Sequence, residues 1–116
     1  MGIYRVYSGD DGESHLEEID LDQRPDLLEL QKVEGLSFRR PGTGGATGIV
    51  FDADGFHCAP NPRWSTILKG TAVIGLGDGS KHNFGAGDTI LFEDLTGHGH
   101  TSTWNDVILA VNVLDR

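Results

Sequence analysis

From Trp64 to Phe92 the chain repeats one pattern, a run of β-branched and apolar residues closed by a glycine-bearing turn, which leaves little room for helix. Trp64 to Lys69 is followed by Gly70, and Thr71 to Leu76 by Gly77-Asp78-Gly79-Ser80. Lys81 to Phe84 is followed by Gly85-Ala86-Gly87, before Asp88 to Phe92. The Asp78-Gly79 pair is a strong hairpin signal, because both central residues of a type I′ turn need positive φ. Seventeen glycines in 116 residues, with few helical periods between them, predict many short strands joined by tight turns, and so an all-β sandwich or barrel. Further strands are predicted at His98 to Trp104 and Val107 to Leu114, joined through Asn105-Asp106, with edge strands at Ile3 to Tyr7 and Leu16 to Leu21. Val107, Leu109, Val111 and Val113 follow a period of two and mark a core-facing side. Arg24 to Val33 predicts one short helix, with Pro25 suited to its first turn. Pro41 to Ala46 reads as a loop rather than a domain boundary.

A chain of this length forms one domain and buries roughly two-thirds of its unfolded surface without needing staples. With 9 Lys and Arg against 18 Asp and Glu, the net charge is -9, and the only adjacent basic residues are Arg39 and Arg40. That balance argues against nucleic acid as a partner. The longest apolar run, Val107 to Val111, falls far short of the ~20 residues that span a bilayer, which argues against a membrane location. Gly2 to Asp11 turns polar too early for a secretory signal, so a cytoplasmic protein is expected. Cys58 is the only cysteine, which excludes an intrachain disulfide.

Chemistry is concentrated at Gly97-His98-Gly99-His100. If this stretch opens a strand, the two imidazoles two residues apart share a face, and in a small barrel that face is the lumen. Neutral imidazoles there either hold a divalent transition metal or hydrogen-bond a ligand. Ser102 and Trp104 continue the same alternation, so Trp104 is expected to turn inward, as a pocket wall or as core. His57 precedes Ala59-Pro60-Asn61-Pro62, whose irregular backbone prevents its face from being read by alternation. It is either a third site residue or a loop residue. Cys58 reads as a small buried hydrophobe. His15 and His82 read as solvated. Glu93-Asp94 is either an acid or base or a solvated corner. Arg63 beside Trp64 either clamps a substrate carboxylate while the indole stacks on its apolar part, or forms an ordinary ion pair.

Residues 64–79 and 84–94, with the order of their turns, resemble the conserved barrel of small single-domain cupins over about 47–113. That resemblance implies a jelly-roll barrel spanning 47–114, an N-terminal extension of strands and loop over 1–46, and commonly a homodimer. Any metal or ligand would be held inside by inward side chains. The family's first metal motif places a His-x-His pair, a Glu and a Gly in succession. Counted back from Gly70, Phe56 and Cys58 stand at the histidine positions, with His57 between them, and Arg63 stands at the Glu position. The second motif is kept in Gly87, Gly97 and His100, with Trp104 in place of its Asn.

Two functions are therefore expected. In the first, His57, His98 and His100 hold Zn, Fe, Ni or Mn, Glu93 or Asp94 carries a proton, and a small carbonyl, carboxylate or aromatic metabolite is the substrate. Glu93, Asp94 and Asn112 are candidate acceptors behind the ligating imidazoles. In the second, a metal-free, non-catalytic cupin binds a small molecule, with Arg63, Trp64 and Trp104 as ligand contacts and the histidines as hydrogen-bonding groups.

Overall fold

The computed structural model describes residues 1–41 and 52–116. Among them the chain is all-β: β1 (Ile3–Ser8), β2 (Ser14–Glu18), β3 (Val33–Arg39), β4 (Arg63–Gly75), β5 (Lys81–Gly85), β6 (Thr89–Glu93) and β7 (Thr101–Leu114). They form one mixed sheet in the order β2-β1-β6-β4-β7-β3, with β5 beside β4. The sheet curls into a half-barrel. One edge of β4 pairs antiparallel with β7 along most of its length, while its other edge pairs with β6 over the first half and with β5 over the second. The concave face carries Val6, Ile67, Ala72, Ile74, Phe84, Ile90, Phe92, Val107, Leu109 and Val111, all nearly solvent-free. The core-facing side predicted on β7 is present, with Val113 partly buried against the same cluster.

The strands predicted to break at Gly70 and at Asn105-Asp106 do not break. β4 and β7 run on as 13- and 14-residue strands with paired irregularities. Gly70 (φ 86°) and Asp106 (φ 51°) lie against each other, and a Cβ at Gly70 would sit 2.3 Å from the Asp106 carbonyl oxygen. Two opposed bulges bend both strands together, so the ladder survives the corner and the sheet curls instead of ending. The Asp78-Gly79 hairpin is present, but only Gly79 takes positive φ. Asp78 keeps negative φ, and its carboxylate accepts from the Ser80 amide.

Three further expectations are corrected. Residues 24–33 do not form an α-helix: two 3-10 turns, Leu21–Gln23 and Pro25–Leu28, bury no residue, and Glu29 is already extended. Without an apolar face to pack, so short a helix has nothing to offset its nucleation cost. Val33 instead begins β3, which pairs with β7 and is exposed along nearly its whole length. β1 is not an edge strand but lies between β2 and β6, pairing parallel with β6. From residue 42 on, the expected loop at 41–46 lies outside the described residues. No helix among the described residues is long and apolar enough to cross a membrane.

Candidate functional site

The chain leaves β6 at Glu93 and reaches β7 through residues 94–100, where Gly97 (φ 83°) and Gly99 (φ 82°) both adopt left-handed backbone. His98 and His100 therefore do not lie on one strand, and the expected shared face is absent. The two glycines that make the motif conspicuous are the residues that break its alternation. His98 turns outward, stacked on Phe56 with ring centroids 3.9 Å apart. Its Nδ1 lies 2.8 Å from Glu13 and its Nε2 3.6 Å from Asp52.

His100 is buried, and its backbone exchanges two 2.9 Å hydrogen bonds with His57. That bridge explains Gly99: a Cβ there would sit 2.1 Å from the His57 carbonyl oxygen. The two rings come to 4.5 Å between centroids, and the His100 ring also stacks on Phe92 at 5.0 Å. Behind His100 lies Asp94, fully buried, whose Oδ2 accepts from His100 Nδ1 at 2.5 Å and from Ser14 Oγ at 2.8 Å. Its Oδ1 is buried with no hydrogen-bond partner among the described residues.

The tautomer of His57 follows from its neighbours. Its Nδ1 is 3.1 Å from the Gly55 carbonyl oxygen, which only accepts, so Nδ1 carries the proton and Nε2, 3.5 Å from Ser102 Oγ, is an acceptor. Burial pushes the His57 imidazole below its ordinary value of 6.5, outweighing the Gly55 bond that favours the charged form. Above 6.5 both the folded and the unfolded chain hold this ring neutral, and its contribution to stability is complete. As the pH falls through 6.5 the unfolded chain takes up the proton first, so stability drops until the folded ring titrates as well. Urea midpoints between pH 5 and 7.5 are expected to fall more steeply toward acid in the parent than in His57→Gln. Parallel curves would show that burial does not depress this ring.

Glu93 and Asp94 are consecutive yet point apart. Burial pushes the Glu93 carboxyl up, but Arg5 and Arg116 outweigh it and hold that carboxyl below its ordinary range. Glu93 is thus committed to an ion-paired cluster with Arg5 and Arg116, and of the two carboxylates it is Asp94 that touches an imidazole. Arg63 and Trp64 likewise occupy opposite faces. Arg63 shares the concave side with Ser65 and Ile67, while Trp64 turns outward and donates from Nε1 to Gln31 at 2.7 Å. The expected clamp of guanidinium and indole is not formed. Trp104, opposite Ala72, turns inward as expected and packs against the core. Cys58 donates to the Gly97 carbonyl oxygen at 3.2 Å, and burial, with Asp94 nearby, pushes its thiol up, which suits a structural residue.

The three-histidine metal centre is not assembled. Among the described residues no three His, Cys, Asp or Glu side chains are placed to hold a metal ion. Residues 42–51 contain none of these residue types. Comparison with protein families, curated proteins and solved structures finds no match. Ser14 and Phe92 escaped sequence reasoning because they come to the site through non-local pairing that no local spacing signals.

Proposed function

We propose that this protein is a small cupin-like barrel that binds a small molecule on its concave face without a resident metal. His57 and His100 are the hydrogen-bonding groups, and Asp94 fixes the orientation of His100. The observation that carries this reading is the buried Ser14–Asp94–His100 chain set against His57. A fully buried carboxylate costs several kcal/mol to desolvate. Here it orients one imidazole with Nδ1 toward the acid, leaving Nε2 for a ligand. The same pairing can pass a proton between that ligand and the ring, which makes acid–base chemistry available without a cofactor. The donor set does not fit a transition metal: two imidazoles come together, while His98 is held by Glu13 and Asp52. We further propose that the barrel is a homodimer, since paired copies would cover Leu36 and Phe38, 56% and 68% exposed on β3.

Carboxylate-backed imidazoles also occur behind bound metals, so metal content is the decisive test. Elemental analysis of protein purified without chelators is expected to find substoichiometric Zn, Fe, Ni and Mn. Ring 15N shifts of His57 and His100 are expected to stay in place on addition of equimolar zinc. Stoichiometric metal in the parent that disappears in His100→Ala overturns this reading in favour of a metal centre.

A further inference from the structure

Arg63 opens β4 on the concave face, registered between Phe92 of β6 and Val113 of β7. Its guanidinium is partly buried, yet its neighbour is a neutral amide: Nε and Nη2 both donate to Asn61 Oδ1, at 2.9 and 2.5 Å. Three of the five guanidinium N–H groups remain, two of them along the Nη1–Nη2 edge. Arg39 lies on the same face of β3, opposite the inward Leu109, and its Nε donates to Ser37 Oγ at 3.3 Å. Among the described residues neither arginine forms an ion pair with a carboxylate, although Arg5, Arg24, Arg40 and Arg116 all do. In a chain with twice as many acidic as basic residues, two guanidiniums on one face of the sheet without an acid partner are a departure from its own pattern. Burial and the charge of Arg39 both push the Arg63 guanidinium below its ordinary value, so each would be relieved by an anion. Space is present beside them: Gly35 registers with Val113 in the same row as Arg63, and a Cβ there would meet nothing within 4 Å.

We propose that Arg63, with its fork held by Asn61, and Arg39 form an oxyanion site on the open side of the half-barrel, taking the carboxylate or phosphate group of a small ligand. The exposed Nη1–Nη2 edge offers two parallel N–H groups, the geometry that grips such oxygens in a bidentate manner. Phe92 connects this site to the imidazoles, registering with Arg63 and stacking on His100. The inference rests on the reading of the concave face as a ligand chamber, and it narrows the ligand to an anion with an uncharged polar or apolar remainder.

The test is an NMR titration of 15N-labelled protein with sodium acetate and, separately, sodium phosphate, replacing chloride at constant ionic strength. Saturable shifts of the Arg63 Nε–H and of the Gly35 and Ser37 amides are expected with at least one probe. The tighter probe tells carboxylate ligands from phosphorylated ones. Arg63→Gln is expected to raise the apparent Kd at least tenfold, Arg63→Lys to give an intermediate loss, and Arg39→Gln to give a loss of about threefold. Arg24→Gln, which removes a guanidinium already paired with Asp26, is expected to leave acetate and phosphate affinity within twofold. Should Arg63→Gln not fold, Arg39→Gln and Arg63→Lys carry the same comparison. Linear, non-saturating shifts with both probes, or saturable shifts indifferent to all three arginine variants, overturn the oxyanion site, whatever the metal analysis shows. Stoichiometric metal beside arginine-dependent anion binding overturns the metal-free reading and leaves this site standing.

Discussion

Asp94→Ala is expected to lower the stability of the fold by about 2–6 kcal/mol, since it strands two buried donors at a cost of roughly 1–3 kcal/mol each. Those donors are Ser14 Oγ and His100 Nδ1, and both end on Asp94 Oδ2. Their own side chains are buried too, so water cannot replace the lost acceptor without opening the sheet end. Asp94→Asn separates acceptor loss from volume loss. Its amide oxygen can take the place of Oδ2, while its NH2 group occupies the position of the unpartnered Oδ1, so a smaller cost of about 1–2 kcal/mol is expected. Urea unfolding at neutral pH measures both, and a midpoint shift of about 1 M or more is expected for Asp94→Ala, given slopes of roughly 1–3 kcal/mol/M for small domains. A loss below about 1 kcal/mol for Asp94→Ala would refute the buried chain. In either variant His100 loses the carboxylate that orients it, so the ring 15N signals are expected to report a mixed tautomer population where the parent shows one.

Gly99→Ala is the second large effect. The added methyl group would sit 2.1 Å from the His57 carbonyl oxygen, on a residue at φ 82°. Left-handed backbone alone costs a side-chain-bearing residue about 1–2 kcal/mol. The clash adds to that, because the atom in the way is backbone, pinned by the two hydrogen bonds of the His57–His100 bridge. A total of roughly 3–4 kcal/mol is expected. Gly79→Ala is the matched control: its φ is 87°, but a Cβ there meets nothing within 4 Å. It should therefore lose only the backbone part. Equal losses in the two variants, measured by urea unfolding, would show that the close approach of residues 57 and 99 contributes nothing. A folded Gly99→Ala is also expected to lose the protection of the His57 and His100 amides against hydrogen exchange, because the bridge must open to admit the methyl group.

The fold was legible wherever local pattern and final burial agree. The runs that became β4, β5 and β6, the hairpin at Asp78-Gly79 and the core side of β7 all announce themselves, because one face of each strand is buried and the intervening turns need glycine or Asp. β3 was illegible for the opposite reason: with almost no buried side it carries no alternation, and Gly35 with its adjacent bulge interrupts what pattern remains. The candidate site was only partly legible. His57, His100, Asp94 and Arg63 were singled out as residues. Their grouping was not, since reading His98 with His100 assumed a strand that Gly97 and Gly99 prevent.

By itself the sequence determined the all-β class, the acidic charge balance, the positions of most strands and the concentration of polar chemistry near residues 93–100. These follow from interactions between near neighbours in the chain: β propensity, turn φ requirements and period-two burial. Only the tertiary structure decided which of the neighbouring polar residues meet. The parallel docking of β1 beside β6 brings the β1–β2 hairpin to the 94–100 loop, which sets Ser14 on Asp94 and Glu13 on His98. The 57–100 bridge joins two histidines far apart in the chain. The β4–β6 register sets Arg63 beside Phe92, whose ring stacks on His100. Each of these depends on contacts across tens of residues, whose cost in chain entropy is met by burial of the whole core and leaves no mark in local spacing.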